Sequence, residues 1–129
     1  MAFRDPVDKN MLRMEARRFA ARCDGQVSLI ERADTLREIS RLATLISLPF
    51  SLTDDDTARD GLRLVQTRAE DRARELIMEQ LQNFSRAEEY QHEKLKRSML
   101  DSWTNLTGPL GHLRTWAYNK LQALEQQTG

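Results

Sequence analysis

Residues Thr53 to Leu106 read TDDDTARDGLRLVQTRAEDRARELIMEQLQNFSRAEEYQHEKLKRSMLDSWTNL, and the way this stretch is parsed decides the architecture. Thr53 is a helix N-cap residue, and Asp54, Asp55 and Asp56 place negative charge where the first-turn amides and the helix dipole favour it. Core-type positions then recur at Ala58, Leu62, Val65, Ala69, Ala73, Leu76, Gln80, Phe84, Ala87, Gln91 and Leu95, and continue to Met99, Trp103 and Leu106. They repeat every 11 residues, a period that suits a nearly straight or slightly right-handed helix better than a heptad coiled coil. Gly61 costs about 1 kcal/mol relative to alanine but lies too near the start to end the run.

One helix of this length extends roughly 80 Å, so other elements must cover it. A break near Asn83-Phe84-Ser85 is the alternative, because Ser85-Arg86-Ala87-Glu88 has the pattern of a capping box. The apolar spacing keeps its phase across Ser85, and on that ground the sequence favours a helix over about 54–106, continuous or slightly kinked near 84.

Upstream, a first helix is expected from Pro6, capped by Asp5, to Gly25, the residue type preferred just past a helix C-terminus. Its core seam is Leu12, Ala16, Phe19 and Cys23, and Val7, Met11 and Met14 form a second apolar face. The capping box Ser28-Leu29-Ile30-Glu31 predicts the start of a second helix that ends before Pro49. Leu29, Ala33, Leu36, Ile39, Ala43 and Ile46 make its core face. Around Leu42, Leu45, Leu48 and Phe50 it turns apolar on nearly every side, which demands burial in the bundle or in an interface. Pro49–Leu52 is a short connection into the long helix.

Downstream, Thr107-Gly108-Pro109 stops one helix and starts another, expected over Pro109–Gln126. Its stripe of Leu110, Leu113, Ala117, Leu121 and Leu124, flanked by Trp116, folds back on Leu95, Met99, Trp103 and Leu106. Between Ser85 and Arg97 the sequence is mostly charged, with pairs such as Glu93 and Arg97 at helical spacing, and reads as an exposed connector. The expected fold is therefore all-α: an elongated bundle in one domain over 1–129, with a three-helix part at 5–84 and a helical hairpin at 85–127.

Composition agrees with this reading. Charged residues make up 31% of the chain, aromatics 6%, and only five glycines and three prolines occur, as expected of helices joined by short loops. Twenty basic residues balance twenty acidic ones, so no net field draws the protein to nucleic acid or an anionic membrane. The single cysteine excludes an internal disulfide and suits a reducing compartment. The first residues alternate charged with apolar and no long apolar run follows, so neither a leader nor a membrane span is expected, and the location is expected to be cytoplasmic.

Chemistry is sparse. Glu89-Tyr90-Gln91-His92 has the Glu-x-x-His spacing of di-iron bundles, but those need a second such element and further carboxylates, and His112 follows Pro109 with no such partner. Cys23 lies toward a helix C-terminus, where the dipole disfavours a thiolate. There is no phosphate-cradling loop and no nucleophilic triad. No catalytic residue, metal or cofactor is expected.

The sequence thus predicts a non-enzymatic interaction or assembly protein, acting as an oligomer or as a small subunit of a larger complex. Val7, Met11, Met14, Leu42, Leu45, Leu48 and Phe50 are the candidate interface. The alternative is a helical nucleic-acid-binding subunit, using Lys9, Arg13 and Arg17 on the first helix together with Lys94, Lys96, Arg97 and Arg114. Acidic residues interleave with most of these cations, which weighs against that alternative.

Overall fold

The computed structural model describes the backbone of residues 6–47 and 56–128, and the side-chain surroundings of Met14 and of residues 17–45 and 59–127. The expected Asp5 and Thr53 caps, the connection Pro49–Leu52 and the core positions Leu12, Ala16, Ile46 and Ala58 lie outside what is described. The fold is an all-α bundle around a long central helix, with no strand among the described residues. In chain order the helices are α1 (Pro6–Glu31), α2 (Leu36–Ser47), α3 (Asp56–Arg86), α4 (His92–Trp103) and α5 (Leu113–Thr128). Single 3-10 turns at Glu89–Gln91 and Gly108–Leu110 precede α4 and α5.

The first helix does not stop at Gly25. It runs on to Glu31, through the Ser28 box that was expected to start a new helix. Phe19, Cys23, Ile30 and Ala33 are all buried, so carrying the helix past Gly25 keeps Ile30 on the core face, where its burial is worth roughly 1.5–3 kcal/mol. That outweighs the roughly 1 kcal/mol that an interior glycine costs. The real boundary is Thr35, whose hydroxyl accepts a hydrogen bond from the Glu38 amide at 3.2 Å. Thr35-Leu36-Arg37-Glu38 is itself a capping-box pattern. Leu29, expected on the core face of the second helix, is instead an exposed residue of α1.

Parallel α1 and α3 lie side by side, and α2 packs against both. The order of the contacts fixes this direction. A Cβ placed on Gly61 would sit 3.1 Å from Cys23 Sγ and 3.7 Å from Ala20 Cα, while further along both helices the Arg72 guanidinium donates to the Ala33 carbonyl at 3.0 and 2.9 Å. The glycine allows the two backbones to approach closely. Antiparallel α2 is tied to α1 by the Gln26 side-chain amide, which donates to the Leu42 carbonyl at 3.3 Å.

The long helix ends at Arg86, so the stretch to Leu106 is not one rod. The chain turns just beyond the Asn83-Phe84-Ser85 alternative: Ser85 stays inside α3, and Glu88 adopts an extended conformation. The His92 ring stacks on Phe84 at 4.5 Å between centroids, and its Nε2 lies 3.1 Å from the Ala87 carbonyl oxygen. Continuing straight would have carried Met99, Trp103 and Leu106 away from the bundle. By folding back, all three become buried, and that burial outweighs the helical hydrogen bonds given up at the corner.

Helix α4 therefore runs antiparallel to the second half of α3. Trp103 is wholly buried, and its Nε1 donates to Gln80 Oε1 at 2.9 Å. Gly108 takes the only positive φ among the described residues, +55°, and turns the chain against α2, where an added Cβ would meet Thr44 Oγ1 at 3.0 Å. Arg114 donates to the carbonyls of Leu106 and Thr104 at 3.1 Å each. Leu110, Leu113, Ala117 and Leu121 then face the core as a stripe, with Leu124 partly buried. Along α3, Leu62, Val65, Ala69, Ala73 and Phe84 are buried as expected, while Ile77 and Leu81 join them and Leu76 is only partly covered. One buried hydroxyl, Ser40 Oγ, has no hydrogen-bond partner among the described residues.

Cys23 has no exposed surface. Burial pushes its thiol above the ordinary value, Asp24 adds to the rise, and Arg22 pulls the other way. A folded chain thus keeps a proton that the unfolded chain has released, so this contribution is intact below the ordinary thiol value of about 8.5 and is lost as pH climbs past it. Urea unfolding of the wild type should therefore lose stability between about pH 7 and about pH 10 more steeply than unfolding of Cys23→Ala. Equal slopes would show that the thiol ionises as readily folded as unfolded.

Candidate interaction surfaces

Of the residues expected to form an apolar interface, Met14 and Leu45 are exposed, each at 52%. Leu42 is not surface: it is 6% exposed and belongs to the core, because α2 turns this side toward the bundle. Val7, Met11, Leu48 and Phe50 lie outside the described side chains. Nor do Met14 and Leu45 form one patch. Gln26 meets α2 at Leu42, so in this antiparallel pair Leu45 sits about one turn further along α1 from that contact and Met14 about three.

Three of the five candidate basic residues with described side chains are engaged within the chain. Lys96 pairs with Glu125 at 3.0 Å and Arg97 with Glu93 at 3.5 Å. Arg114 is spent on the backbone carbonyls that close α4. Arg17 is exposed on α1, and the side chains of Lys9 and Arg13 are outside the described set. Lys94, Lys96 and Arg97 share α4 while Arg17 belongs to α1, so two separate groups result.

Glu89 and His92 do not share a helix face. Glu89 is an exposed residue of the 3-10 turn and His92 opens α4 with its ring committed to Phe84 and Ala87. Among the described residues, no group of three or more His, Cys, Asp or Glu is placed to hold a metal ion. His112 is bound to Glu70 of α3, and beside it Trp116 has Arg74 and Lys120 over its ring at 5.6 and 5.8 Å. The contacts of Glu70 and Arg74 fasten the start of α5 to α3.

The outer side of the α4–α5 hairpin is different. An open depression of about 640 Å³ is lined by Lys94, Arg97, Ser98, Leu100, Asp101, Thr104 and Tyr118. A second, of about 560 Å³, shares Leu100 and Tyr118 and runs on to Leu121 and Glu125. Tyr118 leans edge-on against Trp103 at 5.6 Å yet remains 40% exposed. An aromatic ring backed by the core and open on its other side is the kind of anchor that protein interfaces use. Sequence reasoning passed over Tyr118 because it lies off the apolar stripe of α5. The same blind spot hid Leu64 and Met78, exposed on the side of α3 away from its core positions.

No protein-family model, curated protein or solved structure matches this chain. Functional inference therefore rests on its own surfaces. Among the described residues, no helix is long and apolar enough to cross a membrane.

Proposed function

We propose that this is a non-enzymatic helical interaction protein of the cytoplasm, working as a homo-oligomer or as a small subunit of a larger assembly. The observation that carries this reading is the outer face of the α4–α5 hairpin, where Leu100 and the half-exposed Tyr118 line open depressions together with Lys94, Arg97, Asp101 and Glu125. An exposed aromatic ring and a leucine set among opposite charges is the kind of surface that protein–protein contacts use. The nucleic-acid alternative is the weaker of the two, since Lys96 and Arg114 already have partners within the chain and binding phosphate would mean giving those contacts up.

Sedimentation velocity on the full chain, from low to high micromolar concentration, is the direct test. The expected result is a mass that rises with concentration toward a discrete multiple of 15.0 kDa. A compact monomer throughout the range would overturn the self-assembly form of the proposal.

A further inference from the structure

Resting on that reading, we infer that the contact between copies is an antiparallel, two-fold pairing of α4 with α4, in which Arg97 of each copy faces the partner's Asp101. Three observations on α4 lead there. Lys94, Arg97, Asp101 and Thr104 are exposed and line a single depression, and their spacing of three, four and three residues sets them in one row along the same side of the helix. Met99 and Trp103 of the same helix are buried, so the seam lies on the side turned away from the core.

Second, the charges are ordered along the seam, with Lys94 and Arg97 toward the N-terminal end and Asp101 toward the C-terminal end. A parallel pairing in register would set Arg97 against Arg97 and Asp101 against Asp101. Reversing one copy about a point midway between Arg97 and Asp101 instead sets each guanidinium opposite a carboxylate, twice, as a two-fold contact requires. It also sets Lys94 opposite the partner's Thr104, with no like charges facing each other. Helix α4 is thus complementary to its own reverse.

Third, the seam has apolar flanks. Leu100 and Tyr118 border it, and the two-fold axis brings four such side chains together around the ion pairs, shielding them from water. Small Ser98 lies beside the centre and permits close approach. The intramolecular partner of Arg97, Glu93, is a weak competitor, because both side chains are more than four-fifths exposed and such pairs contribute little. Among the described residues, the Asp101 carboxylate has no ion pair.

The experiment is a charge exchange on the full chain. Arg97→Asp gives a copy with two acidic residues on the seam, and Asp101→Arg a copy with two basic ones. Each variant alone should associate more weakly than wild type by on the order of tenfold or more, because both two-fold-related pairs become repulsive. The two variants mixed at equal concentration should form a one-to-one heterodimer, and the double exchange R97D/D101R should recover association to within a few-fold of wild type. Misfolding cannot mimic recovery on mixing. If wild type associates and neither single reversal changes it, the contact lies elsewhere, with Met14 and Leu45 the next surfaces to test, and this inference fails while the assembly reading stands. Failure of the mixture or the double exchange to recover would also overturn it. If wild type itself stays monomeric, the self-assembly form of that reading falls and this inference falls with it.

Discussion

Trp103→Ala should destabilise the protein by roughly 3–5 kcal/mol, the range for removing a large aromatic side chain from a packed core. Trp103 has no exposed surface. Its ring supports Tyr118 edge-on at 5.6 Å, and its Nε1 donates to Gln80 Oε1 at 2.9 Å, while the Gln80 amide also donates to Ser102 Oγ at 3.3 Å. The substitution therefore opens a cavity between α3 and the hairpin, and it leaves a glutamine oxygen without its donor. Single domains are stable by only about 5–15 kcal/mol, so the variant should sit near the edge of folding. Trp103→Phe separates the two contributions: it keeps most of the packing and removes the indole donor, for an expected loss of about 1–3 kcal/mol. Urea titrations followed by circular dichroism measure both. A loss below about 1 kcal/mol for the alanine variant would mean that the hairpin does not depend on this residue.

Arg72→Ala is expected to cost about 1.5–3 kcal/mol, the range for hydrogen bonds made by a charged group. Its guanidinium reaches across from α3 and donates through Nε and Nη2 to the Ala33 carbonyl, just past the end of α1, where the last carbonyls of a helix lack intrahelical partners. The third nitrogen, Nη1, meets Glu75 Oε2 at 2.9 Å, and Asp34 lies 3.9 Å from Nη2. Arg72→Lys should recover little, because an ammonium cannot present the planar fork that meets the carbonyl and carboxylate together. Hydrogen exchange locates the effect: amides from Ala33 to Ile39, including the Glu38 amide capped by Thr35, should lose protection before those of α5. If the loss is uniform along the chain, Arg72 is not a local clasp.

Periodicity encodes which side of a helix is buried. It carried the all-α class, the long central helix through Leu62, Val65, Ala69 and Ala73, and the final stripe through Leu110, Leu113, Ala117 and Leu121, because each places apolar residues on one side at the helical repeat. Ends were less legible. Ser28 and Thr35 both begin capping-box patterns, and what selects Thr35 is the burial of Ile30 against neighbours distant in sequence. The turn after Arg86 stood only as the alternative near Asn83-Phe84-Ser85 for a related reason: the apolar phase runs unbroken from Phe84 to Leu95, and nothing local reveals that Trp103 has a partner at Gln80. Surface was harder still. Leu42 read as surplus but packs inside, and Tyr118, off the apolar stripe of α5, carried no expectation yet is an aromatic that the hairpin leaves open to solvent.

The close crossing of α1 and α3 also limits how this sequence can drift. Gly61 has no room for a methyl group without pressing on the sulfur and Cβ of Cys23, 3.1 and 3.3 Å away, yet at a less crowded helical position alanine would be favoured over glycine by about 1 kcal/mol. What selection acts on at this crossing is then the summed volume of positions 61 and 23. Growth at one is tolerated only with shrinkage at the other, and the two sites should vary as a pair.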